Sequence, residues 1–440
     1  MSLELADKLL RRFVLCDRCL GRLFALSSPG SDRSEIGRDL KEALFEGAVE
    51  RGDVELLEAL TKCGHEVARS ILEEKGVRLE RQRCTVCEDR LRDDLLHSLV
   101  RRACEIASGY EYETFLIGTY VPPHVRRVEE HLIAEFGLRE AETIRRDATR
   151  QMRRAFAELT GKRAVVANPE LTILVDVFTE TVDVRAMPVF VKGRYLKRSR
   201  ITPQSPWLCD TCWGEGCDRC NNTGRRTGTE TSVAEYVGMP ALEIWGAIDY
   251  RFHAAGREDV DATVEGTGRP FVLELLEPTR RRGDLHLYAE RVREFSGNWV
   301  EVIDLGYASR AEVRFLKTEV EKKVKSYKVK VTFREPVPPE AIDRVCSALR
   351  GAVVSQRTPT RVLRRKGERL RHKRVHDASA IMLNERTYEF TFVVDGGTYV
   401  KEIVHGDNGR TTPSVYECIG IEPVSIELTV LGVQYPLKGE

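Results

Sequence analysis

The sequence predicts a multidomain α+β protein. Three observations carry that prediction. A chain of 440 residues exceeds one ordinary hydrophobic core. Its first hundred residues repeat apolar side chains at helical spacing, whereas its C-terminal half alternates them at strand spacing. Of the 12 cysteines, eight stand in four Cys-x-x-Cys pairs: Cys16/Cys19, Cys84/Cys87, Cys209/Cys212 and Cys217/Cys220.

The elements follow in order. Leu5, Leu9, Leu10 and Phe13 mark a first helix running straight into the knuckle Cys16-Asp17-Arg18-Cys19. Segments 38–45 and 54–75 are again helical in pattern, and the knuckle at Cys84 and Cys87 opens a helix reaching about Ile106. Residues 1–113 therefore read as a zinc-binding helical region. Within 114–200, Phe115–Gly118 reads as a strand and 138–159 as a long helix with an arginine-rich polar side. Two further strands, 171–177 and 182–191, lead into the basic run Lys192-Gly193-Arg194-Tyr195-Leu196-Lys197-Arg198. Cations for phosphates beside a ring for a base suit RNA, so Arg194, Tyr195 and Lys197 are candidate RNA contacts; a solvated loop is the alternative. Pro203, Pro206 and the compact cysteine element mark a boundary segment at 201–228. Beyond it, 229–440 contains strands at 272–276, 327–333, 388–394 and 425–433, with an amphipathic helix at 339–349.

Composition excludes more than it identifies. The chain is 42% hydrophobic and 32% charged, and no stretch approaches the roughly 20 apolar residues needed to cross a bilayer. The opening Met1-Ser2-Leu3-Glu4-Leu5-Ala6-Asp7 is acidic and unlike a secretory signal, so a cytoplasmic location is expected. A net charge of +1 says little about a polyanionic partner. In a reducing compartment a two-residue gap aims both thiolates of a knuckle at one tetrahedral metal. The expected cofactor is structural Zn²⁺, one or two ions, held by the eight cysteines. Spacing alone leaves their pairing open. No Gly-x-Gly-x-x-Gly loop after a strand, no Gly-x4-Gly-Lys-Ser/Thr loop and no deaminase zinc signature is present, so no organic cofactor is expected.

The chemistry concentrates in Phe252-His253-Ala254-Ala255-Gly256-Arg257-Glu258-Asp259-Val260-Asp261, a polar, glycine-punctuated loop before a strong strand. Taken alone, its carboxylates suit general acid/base work, metal binding or turn capping. Two more motifs follow: Gln356-Arg357-Thr358-Pro359-Thr360-Arg361-Val362, and Gly397-Thr398-Tyr399-Val400-Lys401-Glu402-Ile403 with its continuation to Thr411. With the first two knuckles and the Gly-Arg-Tyr run, these resemble, in order and over most of the chain, the archaeal and eukaryotic tRNA pseudouridine synthase family acting on T-loop positions 54 and 55.

The resemblance implies a THUMP-like RNA-binding module over 114–200 and a pseudouridine-synthase mixed-sheet catalytic domain over 229–440. It matches Asp259 to the family's catalytic aspartate, in preference to Glu258 and Asp261. It also matches Lys401 to a basic residue expected to pair with Asp259, and Tyr327 to an aromatic lying against the target base. Apart from the resemblance, Lys401 would read as a strand-end surface lysine and Tyr327 as a core residue. The implied reaction detaches uracil at its glycosidic nitrogen, turns it and rejoins it through C5. Whether the aspartate abstracts a sugar proton or attacks covalently stays open. Extruding a nucleotide from a folded arm requires backbone contacts; Arg257, Arg269, Arg361, Arg364, Arg365, Lys366 and Arg371 are the candidates. The expected partner is tRNA, with no membrane and no obligate protein partner. The rival reading is a non-catalytic zinc-containing tRNA-binding protein.

Overall fold

The computed structural model describes residues 2–25, 32–139, 141–226, 231–319, 324–363 and 367–433. The chain divides into two compact units, Met1–Met187 and Pro188–Glu440. Each has its own hydrophobic core.

The first unit runs α1 (Ser2–Arg12), α2 (Asp17–Leu23), α3 (Arg33–Arg51), α4 (Val54–Lys62), α5 (Glu66–Glu74), α6 (Asp93–Ala107), β1 (Thr114–Tyr120), α7 (Pro123–Glu135), α8 (Ile144–Thr160), β2 (Arg163–Ala164), β3 (Leu171–Asp176) and β4 (Thr181–Ala186). Aspartate and threonine side chains start the helices by accepting otherwise unpaired N–H groups. Asp32 accepts from Ser34 N at 2.8 Å, Asp53 from Leu56 N at 3.0 Å and Thr143 from Arg146 N at 3.3 Å. The single helix expected over 54–75 is two, because Gly64 at φ 86° turns the chain between α4 and α5. The strands form a sheet in the order β2-β1-β3-β4, parallel across β1 and antiparallel between β3 and β4. Phe115 of β1 packs against Phe156 of α8 with ring centroids 4.6 Å apart, tying the sheet to its helix.

Immediately after the first knuckle, α2 lies against α3 at backbone contact. A Cβ on Gly21 would fall 1.8 Å from the Arg33 carbonyl oxygen, and one on Gly37 would fall 1.8 Å from that of Asp17. Only glycine fits at this crossing.

The second unit contains β5 (Val189–Lys197), α9 (Val233–Trp245), β6 (Asp249–Ala254), β7 (Thr263–Leu276), α10 (Leu285–Phe295), β8 (Val300–Ala308), α11 (Arg310–Glu319), β9 (Val324–Phe333), α12 (Pro339–Leu349), β10 (Val353–Arg357), β11 (Leu370–Asn384), β12 (Thr387–Asp395), α13 (Val400–His405), β13 (Thr411–Thr412), α14 (Val415–Ile419) and β14 (Pro423–Val433). The fold is α+β with one large mixed sheet ordered β13-β10-β11-β12-β9-β14-β7-β5-β8, and β6 pairs with β7. Strand β9 lies between β12 and β14, antiparallel to both, with Tyr327 opposite Phe392 and Val430.

Strand β5 lies elsewhere than the sequence reading assigned it. The resemblance groups residues up to 200 with the THUMP-like module, yet β5 pairs with β7 and β8 of the second unit. The break falls at Met187-Pro188, where proline lacks the N–H that would continue the ladder. Val189, Val191 and Tyr195 consequently join the second core.

The α2/α3 crossing makes a sharp comparison possible. Gly21→Ala should destabilise the protein by about 1–3 kcal/mol in urea unfolding, since the backbones must separate. On the open face of α3, a Cβ at Gly47 meets only the flexible Arg51 side chain at 3.0 Å. Gly47→Ala should therefore be neutral or stabilising by up to about 1 kcal/mol. Equal stability of the two variants would contradict the close crossing.

Candidate active site

The loop between β6 and β7 carries three carboxylates and assigns each a different environment. Ala255 N donates to Pro270 O at 2.9 Å and Ala262 N to Asp259 O at 3.1 Å, closing the loop at both ends. Glu258 turns inward. Tyr195 Oη donates to its oxygens at 2.8 and 2.9 Å, Gln204 Nε2 donates at 3.3 Å, and Arg269 Nε lies 2.8 Å from Oε2 as an ion pair. Burial, followed by the Glu258 charge, pushes the Tyr195 phenol well above its ordinary pKa and keeps it protonated as a donor. Gln204 Nε2 also donates to Gly256 O at 2.9 Å, and Arg269 Nη1 to Ala255 O at 2.8 Å, fixing the backbone around the buried acid.

Asp259 faces the other way, into a cleft of about 890 Å³. Arg361 Nη1 donates to Asp259 Oδ1 at 2.9 Å, while Arg361 Nε donates to Glu402 Oε1 at 2.7 Å. Glu402, on α13, is 1% exposed. Burial works against the Arg361 charge, but the hydrogen bond to Glu402 and the charges of Glu402 and Asp259 raise its pKa above the ordinary value. Asp261 points to the rim and takes Lys401, whose Nζ donates at 2.6 and 2.8 Å. Burial pushes the Asp261 carboxyl up, yet the Lys401 hydrogen bond and charge outweigh it and hold the pKa below its usual value. Lys401 Nζ lies 3.9 Å from Asp259 Oδ2. The expected Lys401–Asp259 pair is thus a secondary contact: the direct partner of Asp259 is Arg361, because Asp261 sits closer to the lysine.

The two downstream motifs are cross-linked so that both cations reach the loop. The buried Gln356 amide exchanges two 2.9 Å bonds with the Tyr399 backbone, Nε2 donating to Tyr399 O and Oε1 accepting from Tyr399 N. Asp407 Oδ2 accepts from Thr360 N at 2.9 Å, and Arg410 Nη2 donates to Thr358 O at 2.8 Å. Tyr327 lines the cleft with Leu428 and Val430 of β14, only 9% exposed. Burial raises its phenol pKa, so its ring, not a phenolate, is what it presents.

Of the sequence-derived RNA contacts, Arg257 is exposed and Arg371 is half-buried at the cleft, with the Arg371 guanidinium 5.4 Å from the Tyr399 ring centroid. Three others need correction. Tyr195 and Lys197 are fully buried and Arg269 is 1% exposed, their polar groups used internally. Arg194 is half-buried with bonds to Thr267 O and Gly268 O, and Arg361 serves Asp259 and Glu402. Arg364, Arg365 and Lys366 lie outside the described residues. Sequence reasoning overlooked Glu402, Gln356 and Gln204. An acid directly after Lys401 and an amide opening the second motif were the available signals. It also missed Trp207 and Arg226, which flank the third cysteine element and line the cleft with Arg226 Cζ 5.8 Å from the indole centroid.

The cysteines resolve into two sets, each with its four Sγ atoms within 4.8 Å of one another: Cys16, Cys19, Cys84 and Cys87, and Cys209, Cys212, Cys217 and Cys220. Tetrahedral coordination with zinc–sulfur bonds of about 2.3 Å has sulfur–sulfur edges near 3.8 Å. Cys16 and Cys87 are 3.6 Å apart, Cys209 and Cys217 3.9 Å, and Cys212 and Cys220 3.8 Å. Backbone N–H groups of Gly216, Cys217 and Gly224 point at Sγ atoms from 3.2–3.3 Å, as thiolates require. Both donor sets fit zinc.

Residues 190–434 match the family model described as Pus10, C-terminal, and residues 99–176 match that described as Pus10 THUMP domain, archaeal. The tRNA pseudouridine synthase Pus10 of Thermofilum pendens is 39% identical over 97% of this chain and 94% of its own. That of Methanopyrus kandleri is 37% identical over 96% of each. Among solved structures, a Cbf5-Nop10-Gar1 complex covers 55% of this chain and 58% of its own at 14% identity, with a TM-score of 0.28. That likeness is too slight to bear on the fold. The near full-length relatives and the two family models show that this chain belongs to the Pus10 family of pseudouridine synthases.

Proposed function

We propose that this chain isomerises uridine to pseudouridine at T-loop positions 54 and 55 of tRNA, with Asp259 as the catalytic carboxylate. The observation that supports it best is the division of the loop acids: the Glu258 carboxylate is buried in hydrogen bonds, Asp261 is occupied by Lys401, and the Asp259 carboxylate is held by Arg361 and stays partly exposed at the cleft. The guanidinium beside the carboxylate fixes its orientation, which either sugar-proton abstraction or covalent attack requires. Tyr327, on the cleft floor, offers a face for the uracil while its glycosidic bond is broken and the C5 bond forms. Lys401 supports the Asp259–Asp261 edge of the loop. Arg257 and Arg371, which line the cleft, would hold the phosphates of an extruded nucleotide. The first unit, with its THUMP module, suits binding elsewhere on the tRNA.

Zinc in each cysteine set would be structural, cross-linking α2 to the turn before α6 in the first unit and closing the 209–220 element beside Trp207 and Arg226 in the second. No organic cofactor enters the reaction. Zinc held by thiolates, in a chain whose cysteines form no disulfide among the described residues, suits the reducing cytoplasm.

Two measurements test this reading. With an unmodified tRNA transcript, Asp259→Asn should abolish pseudouridine formation, mapped by carbodiimide labelling, while leaving tRNA affinity within about twofold of wild type, since one neutralised carboxylate changes no phosphate contact. Surviving conversion would refute the assignment; binding without conversion by either form would favour the non-catalytic rival. Elemental analysis should find two zinc ions per chain. Replacing Cys209 and Cys212 with Ser should remove one and weaken tRNA handling at the cleft, while replacing Cys84 and Cys87 should remove the other and destabilise the first unit. An unchanged metal content in either variant would contradict the two-site reading.

A further inference from the structure

Lys197 stands where an apolar residue is expected. Strand β5 alternates inward positions Val189, Val191, Gly193, Tyr195 and Lys197, and this last side chain is fully buried. Its ammonium contacts three carbonyl oxygens: Thr202 O at 2.9 Å, Val260 O at 2.9 Å and Asp259 O at 3.5 Å. An ammonium has three N–H donors and no acceptor, so three carbonyls suit its charged form. The Thr202 end is itself pinned, because Ser199 Oγ accepts from Ile201 N and Thr202 N at 3.2 Å and from Thr202 Oγ1 at 2.8 Å. The other two carbonyls belong to the candidate catalytic residue and its neighbour.

We infer that Lys197 is a positioning residue for the isomerisation, clamping the Asp259–Val260 backbone from beneath so that the Asp259 carboxylate is held toward Arg361 and the cleft. This rests on the reading of Asp259 as the catalytic carboxylate. Two neighbours act in the same sense: Gln204 holds Gly256 O, and Arg200 Nη1 donates to Asp261 O at 2.8 Å. The basic run therefore supports the loop instead of facing RNA at Lys197. Burial lowers the lysine pKa to about 8, against the raising influence of Glu258, Asp261 and Asp259 and reinforced by the like charge of Arg269. A neutral amine offers two donors and turns a lone pair toward a carbonyl, so the clamp weakens as pH rises through about 8.

The test uses full-length protein and single-turnover conversion of an unmodified tRNA transcript, beside tRNA binding and thermal melting. Lys197→Met should slow conversion about 10- to 100-fold at pH 7, the scale of a displaced reacting group, with tRNA Kd within about twofold of wild type. The wild-type rate should fall through about pH 8, and that limb should be missing from Lys197→Met. Lys197→Gln keeps two N–H donors without charge; it should fall between the two in rate, lack the limb, and serve alone if the methionine variant does not fold. A wild-type rate in the folded variants, or a tenfold weaker Kd at unchanged rate, would overturn the clamp. Asp259→Asn run in parallel separates the two ideas: its activity would refute the Asp259 reading, whereas an inactive Asp259→Asn beside fully active Lys197 variants would refute the clamp alone.

Discussion

A guanidinium has two hydrogen-bonding edges, and Arg361 uses them on two carboxylates of opposite character. One is Glu402, almost wholly removed from water on a short helix; the other is Asp259, partly exposed at the cleft. Buried Glu402 forms an ion pair with Arg361, and removing that partner leaves an expensive uncompensated charge. Arg361 is thus held by the interior and offers a pre-aimed donor to the cleft. The second and third motifs must keep their relative register for this to work, which Gln356–Tyr399, Thr360–Asp407 and Arg410–Thr358 secure.

The loop itself is built on the same logic of unequal environments. Consecutive acids Glu258 and Asp259 point to opposite sides, so the first anchors the loop to Tyr195, Gln204 and Arg269 while the second is left to the cleft. Asp261 draws off Lys401, which would otherwise compete for Asp259. Support from β5 and the turn after it reaches the loop's carbonyls as well as its side chains. The Asp259 carboxylate is the partly exposed tip of a largely buried network of hydrogen bonds and ion pairs.

Much of this was legible in the sequence, for identifiable reasons. Two-residue cysteine gaps reflect local geometry, so the knuckles could be read directly, although only the fold shows that Cys16/Cys19 joins Cys84/Cys87 and that the four later cysteines close on themselves. The α+β class followed from changing periodicity, and helix Pro339–Leu349 falls where its pattern placed it. Asp259 stood out through ordered motifs, not through its own chemistry. Side-chain direction was the hidden variable. Tyr195 and Lys197 looked like an RNA-binding pair because polar and basic residues usually face solvent, yet they share the two-residue period of Val189 and Val191 and so point inward. Arg269 follows the same rule: a basic residue in sequence does not disclose the buried acid, here Glu258, that will claim it. The partner of Asp259 depends on which carboxylate each cation reaches first, Lys401 taking Asp261 and Arg361 bridging Glu402 and Asp259, which spacing does not specify.

The central claim is that Glu402 acts on Asp259 only through Arg361, and a double-mutant cycle tests it most directly. Single-turnover rates would be compared for Glu402→Gln, Arg361→Met and the double variant, with melting temperature and tRNA affinity as controls. If the relay holds, both single changes slow conversion, and the double variant is no slower than Arg361→Met, giving a coupling of about 1 kcal/mol or more. If the two effects simply multiply, Glu402 and Arg361 act independently, and the account of how Asp259 is held is wrong.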